Sequence, residues 1–126
     1  MREIVYVAGP IGNPDVIGEK AWHENARKLA ALGCRLHAHG YCVIVPGFNL
    51  LVPGYTKAVP HKLWMEQAEP LVYSCDILVR RGGESPGADQ ECAWAVQYGK
   101  PVMTEQEALA RVPLTHTVLT VLGGTL

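Results

Sequence analysis

Apolar positions along the chain alternate between short unbroken runs and longer stretches spaced by three and four. Glu3 to Ala8 is a β-branched and aromatic run stopping at Gly9-Pro10, which predicts a buried strand ending in a turn. A loop follows from Gly9 to Gly18. From Glu19 to about His37, Trp22, Ala26, Leu29, Ala30, Gly33 and Leu36 form one stripe, the pattern of a helix packed on a sheet and ended by Gly40. Tyr41 to Val45 predicts a second strand, and a loop rich in turn residues runs on to Pro60. His61 to Ser74 has helical spacing, but Pro70 lacks an N–H and crowds the preceding turn, predicting a break near Glu69 or a restart at Pro70. Asp76 to Val79 is a third strand, Ala88 to Tyr98 a helix closed by Gly99, and Pro101 to Met103 a fourth strand. Thr104 and Glu107 have the spacing of a capping box opening a helix to Arg111, and Leu114 to Leu122 is a candidate fifth strand.

Strands apolar on both faces and alternating with helices imply an α/β fold, an open doubly wound parallel sheet of four to five strands. Ligands in such sheets bind beyond the carboxyl ends of the strands. The loops Gly9 to Gly18, Pro46 to Pro60 and Arg80 to Gly87 are therefore where chemistry is expected.

Composition narrows the picture. With 126 residues, of which 48% are apolar and 18% charged, the chain matches a single domain spanning 1-126. A domain of that size buries about 65% of its unfolded surface, enough for a core without staples. Eleven basic residues against twelve acidic ones leave a formal charge of -1, so no basic field exists to hold polymeric nucleic acid. Every apolar stretch is broken short of a membrane span, and the first residues do not read as a secretory signal, so the expected location is cytoplasmic. Cys34, Cys42, Cys75 and Cys92 form no CxxC pair and sit in apolar segments, where thiols are expected to be buried. His37 and His39 match no zinc spacing with them and read as helix-end and turn residues.

Common motifs fail on their chemistry. Gly9-Pro10-Ile11-Gly12 lacks the third glycine of a dinucleotide fingerprint, and Pro10 removes an N–H. The loop Gly82 to Gly87 lacks the Gly-Lys-Ser/Thr ending of a P-loop, and Pro86 removes the N–H that a nucleophile elbow at Ser85 would need. A flavodoxin-like carrier is disfavoured, because Gly9 to Pro14 has no hydroxyl-rich nest for a flavin phosphate, and no cofactor is expected. What stands out is Ser85-Pro86-Gly87-Ala88-Asp89-Gln90-Glu91, a loop feeding a helix with two carboxylates expected in its first turn. Acidic residues also simply favour helix starts, but Glu91 opens the apolar run Cys92-Ala93-Trp94-Ala95, the setting of a site residue.

Three groups of residues carry a resemblance: Tyr6-Val7-Ala8-Gly9-Pro10-Ile11-Gly12, Cys75-Asp76, and Ser85-x-Gly87-x3-Glu91 with the ending Gly99-Lys100-Pro101-Val102. In their order and spacing, over roughly residues 3 to 103, the chain resembles the nucleoside 2-deoxyribosyltransferase-like superfamily. The resemblance implies cleavage of an N-glycosidic bond in a (2′-deoxy)nucleoside or its 5′-monophosphate, with water or a second base as acceptor. It puts Glu91 on the nucleophile that forms a covalent glycosyl ester, Tyr6 on the residue that positions it, and Gly9, Pro10, Ile11, Gly12, Asp76, Ser85 and Gly87 around the substrate. Ser85 stands where monophosphate hydrolases carry serine and free-nucleoside transferases an acid, which favours a phosphorylated substrate; Ser85 also reads as a turn residue or helix cap. Arg80 and Arg81 either add charge to the pocket or face solvent. The resemblance places an amide near Asn49 against the base and an aspartate eight residues before Asp76, where this chain has Ala68; Glu69 or Glu66 is the candidate substitute. Asp76 also reads as a capping residue at the strand start. Relatives assemble as homo-oligomers, and the same is expected here. The competing reading is a nucleotide-binding module of the same fold without turnover, supported by Ala68.

Overall fold

The computed structural model describes residues 2–46 and 61–114. In chain order the elements are β1 (Ile4–Ala8), α1 (Pro14–Ile17), α2 (Glu19–His39), β2 (Cys42–Ile44), α3 (His61–Ser74), β3 (Ile77–Arg80), α4 (Pro86–Gln97), β4 (Val102–Met103) and α5 (Glu105–Leu109). The four strands form one all-parallel sheet in the order β2-β1-β3-β4, as the continuous apolar runs predict. Strand order reverses between β1 and β3, where Tyr6 pairs with Leu78 and Ala8 with Arg80.

Alternation along β1 divides the core into two layers. Val5 and Val7 pack with Leu29, Leu32 and Leu36 of α2, Ile77 and Val79 of β3, and Ala108 of α5. Tyr6 and Ala8 face the opposite way, packing with Val72, Leu78, Ala88 and Ala95 between the sheet and α3 and α4. Helix α2 buries its predicted stripe except Ala30, which is only partly covered, with Leu32 added, and ends at Gly40 in the left-handed region at φ +119°. Gly33 brings that helix against β2 so closely that a Cβ there would stand 2.3 Å from Val45 Cγ2. The capping box opening α5 is present in both halves: the Glu107 N–H donates to Thr104 Oγ1, and the Thr104 N–H donates to Glu107 Oε1, each at 3.1 Å.

Several expectations are corrected. Helix α3 neither breaks nor restarts at Pro70; it is continuous to Ser74. Pro70 lies on the exposed side, where water can reach the carbonyl its ring leaves unbonded. Cys75 is buried, but Cys34 and Cys42 are exposed and Cys92 only partly buried. Cys34 is turned away from the Leu32-Gly33-Leu36 face of α2, and Cys42 is on β2, an edge strand. The first loop contains α1, capped by Asn13 Oδ1, which accepts from the Asp15 N–H at 2.9 Å. Leu114 is irregular backbone hydrogen-bonded to Glu3; the rest of the proposed fifth strand lies outside the described residues. No helix among the described residues is long and apolar enough to cross a membrane.

A buried ion pair joins the two ends of the described chain. Glu3, almost fully buried, accepts from Arg111 Nη1 at 2.7 Å and from the Leu114 N–H at 2.9 Å. Arg111 Nη1 also reaches Tyr41 Oη at 3.2 Å, and that hydroxyl donates to Ala108 O at 2.7 Å. No local motif marks this network, because its members are spread from position 3 to 114.

Candidate functional site

Ser85 is the N-cap of α4: its Oγ accepts from the Ala88 N–H at 3.1 Å, and Pro86 takes the first helical position, where no N–H is needed. The helix therefore starts two residues earlier than expected. Asp89 remains in the first turn, but Glu91 falls in the second, where the helix terminus stabilises negative charge less.

From α4, Glu91 meets Tyr6, which β1 turns toward the same layer; Tyr6 Oη donates to Glu91 Oε2. Burial pushes the Glu91 carboxyl up to about 7, against the hydrogen bond from Tyr6 and the positive charge of Arg80. Burial, followed by the charge of Glu91 and the hydrogen bond to it, raises Tyr6 above the ordinary phenol range, so it serves as a donor and not as a base. A half-buried carboxylate, oriented by one donor and titrating near neutrality, has the properties of a nucleophile or a general base.

The neighbouring loops lock together. A Cβ on Gly9 would fall 2.7 Å from Leu29 Cδ2 and 2.9 Å from Arg81 Cβ; Gly83, at φ +115°, lies under Pro10, whose Cγ would be 2.8 Å from a Cβ there. Ile11 packs against Trp22 and Ala26, and its carbonyl accepts from Asn25 Nδ2 at 2.9 Å. Gly12 is exposed, at φ +87°. Gly9, Pro10 and Ile11 thus hold the loops after β1 and β3 in register. Gly87 leaves room beside Met65 of α3, whose sulfur would stand 3.8 Å from a Cβ.

Three candidate acids are not brought to the pair. Asp76 directly precedes β3, at the opposite end of the sheet from the ligand-facing loops, and its Oδ2 accepts from the Ile4 N–H at 2.7 Å. It caps the sheet, the structural alternative for that residue. Glu69 accepts from Tyr98 Oη at 2.7 Å, at the far end of α4, in a cluster with Tyr73 and Lys100. The unbroken α3 supplies no register shift toward Glu91: Ala68 is the inward-facing, buried residue and Glu66 is exposed, within 3.9 Å of Lys62. Asn49 lies outside the described residues.

Arg80 is where residue patterns said least. Its guanidinium folds back to donate to Arg81 O and, at 2.9 Å, to Gly83 O, while Nη2 stands 3.1 Å from Asp89 Oδ1. The signal available in the sequence was its position, directly after a strand and nine residues before an acidic helix start. A surface depression of about 470 Å³ lies between α2, the ends of β3 and β4, and α5, lined by Leu32, Arg81, Met103 and Glu105 among others. It excludes Tyr6 and Glu91, and its acidic groups are engaged, Glu105 by Arg35 and Glu107 by the capping box. Chemistry is better placed at the Tyr6–Glu91 pair, where a titratable group is buried and oriented. Among the described residues no cluster of three or more His, Cys, Asp or Glu is arranged to hold a metal ion.

No protein-family model and no curated protein matches this chain.

Proposed function

We propose that this protein cleaves the N-glycosidic bond of a (2′-deoxy)nucleoside or its 5′-monophosphate, with Glu91 as nucleophile. The observation that carries the reading is the Tyr6–Glu91 pair, a half-buried carboxyl that accepts from a phenol donor and that burial pushes up to about 7. The Glu91 carboxylate would attack the anomeric carbon as the bond to the base breaks and its electron pair departs with the base. Water, or a second base, would then displace the carboxylate from the glycosyl ester. The substrate class comes from the resemblance described above, and the 5′-phosphate preference from Ser85 and the amides of its loop. No cofactor enters this chemistry. A cytoplasmic homo-oligomer acting on small molecules is part of the same proposal.

A second reading, a nucleotide-binding module without turnover, draws on a specific observation. Ala68 fills the position where an acid would protonate the departing base, and Glu69 is engaged by Tyr98.

Incubation with a panel of nucleosides and monophosphates, followed by chromatography, separates the two. The expected result is base release that falls by roughly 10³-fold or more in Glu91→Gln, with a 2-fluoro sugar substrate adding mass at Glu91. No release across the panel, or release unchanged in Glu91→Gln, overturns the glycosidase reading. Heat of binding without consumption of the ligand supports the module instead.

A further inference from the structure

We propose that Arg80 is a positioning residue for Glu91, one guanidinium that ties the loop Arg81 to Gly83 to the first turn of α4 and presents its charge to the carboxylate. The inference rests on the assignment of Glu91 as the reacting group.

Register fixes where Arg80 points. It ends β3 opposite Ala8 and shares a face with Leu78, the face that also carries Tyr6, so its side chain enters the layer beneath α4. There it is only 18% exposed, and three partners occupy it: the carbonyls of Arg81 and Gly83, and the carboxylate of Asp89. A guanidinium presents its donors in a rigid fork, so one side chain can turn two loop carbonyls inward and still meet a third group. Turning those carbonyls onto Arg80 fixes the conformation of the loop, whose Arg81 N–H donates to Ala8 O at 2.8 Å.

The titratable and charged groups of the layer that holds Glu91 come from β1, β3 and α4. From β1 comes Tyr6, a donor; from β3 comes Arg80, the cation, with the thiol of Cys75 at the strand's foot beside Tyr6. From α4 itself come Asp89, 72% exposed and bound to Arg80, and the thiol of Cys92, also beside Arg80. From α3 the inward residues described are the apolar Ala68 and Val72. Arg80 is therefore the cation in this described set, and Asp89 the anion bound to it.

The roles separate by substitution. In Arg80→Met both the clamp and the charge are lost; in Arg80→Lys the charge stays and the fork goes; in Asp89→Asn only the bound anion goes. The measurement is the carboxyl titration of Glu91 followed by carbon NMR on glutamate-labelled protein, which requires no turnover. Arg80→Met should raise the midpoint measurably, the direction expected when a nearby cation is lost. Arg80→Lys should leave it within a few tenths, and Asp89→Asn should lower it by roughly a few tenths, since that carboxylate is exposed and screened. If turnover is present, Arg80→Lys should change KM more than kcat, because it loosens the loop and keeps the charge.

A Glu91 midpoint unmoved in Arg80→Met overturns the inference. Should Arg80→Met fail to fold, Arg80→Gln, which keeps a donor and removes the charge, decides in its place. These outcomes are independent of base release, so loss of the glycosidase reading and loss of the Arg80 role are told apart.

Discussion

Glu91 is more comfortable neutral in the fold than in the unfolded chain, where its carboxyl titrates near 4.5. Because the folded value lies above the unfolded one, its contribution to stability is fully present below about pH 4.5 and is lost as pH rises through about 7. Glu91→Gln keeps an acceptor for Tyr6 and removes the charge. Thermal melts should therefore find it more stable than the parent above pH 7, by several degrees, with the gap closing below pH 5. A gap independent of pH would contradict the burial of this carboxylate. Tyr6→Phe removes the hydrogen bond that holds the carboxylate form, and should move the Glu91 titration up by about one unit, the effect of losing one hydrogen bond to a charged group. At this scale Glu91 stood out as a carboxylate opening an apolar helical run, and Tyr6 was named only through the resemblance; their contact, 85 positions apart in the chain, belongs to the fold. Arg80 was not: whether a residue at a strand end turns inward or to solvent is decided by the carbonyls of the loop that follows it and the carboxylate that α4 brings to it.

Element by element, the strands and helices follow from apolar spacing, and the departures have local causes. Helix α4 begins at Pro86 because Ser85 caps it, which moves Glu91 from the first turn to the second. Helix α3 passes through Pro70 because the position is exposed. Close packing of α2 on β2 depends on Gly33. Gly33→Ala gains about 1 kcal/mol of helix propensity but drives a Cβ into Val45. Overpacking of that kind costs about 1–3 kcal/mol. Denaturant unfolding should show Gly33→Ala destabilising the parent and stabilising a Val45→Ala background. The same sign in both backgrounds would mean that α2 shifts to make room. Gly33 was readable as part of the buried stripe, whereas its need to be glycine was not, since that requires knowing which strand lies opposite.

Across the whole molecule, Glu3, Arg111, Tyr41 and Leu114 bind the start of β1 to the segment after α5. Arg111→Ala strands a carboxylate that is 5% exposed. It should cost roughly 2–4 kcal/mol, somewhat under the range for fully buried pairs because Arg111 itself is partly exposed. That is a large share of a typical domain's stability. Chemical denaturation of Arg111→Ala against Glu3→Gln/Arg111→Met tests this, with the double variant expected to lose less. Equal losses would locate the stabilisation in packing and not in charge pairing.

What the sequence determined by itself is the parallel α/β architecture, the ends of most elements and the carboxylate motif, because each rests on residues a few positions apart whose spacing or chemistry acts locally. Tertiary structure alone decided that Asp76 caps the sheet, that Glu69 belongs to Tyr98, that Cys34 and Cys42 face outward, and that Arg80 turns onto Asp89. The Asp76 and Glu69 contacts depend on partners 72 and 29 residues away, and even Arg80, nine residues from Asp89, needs the fold to set α4 over the end of β3.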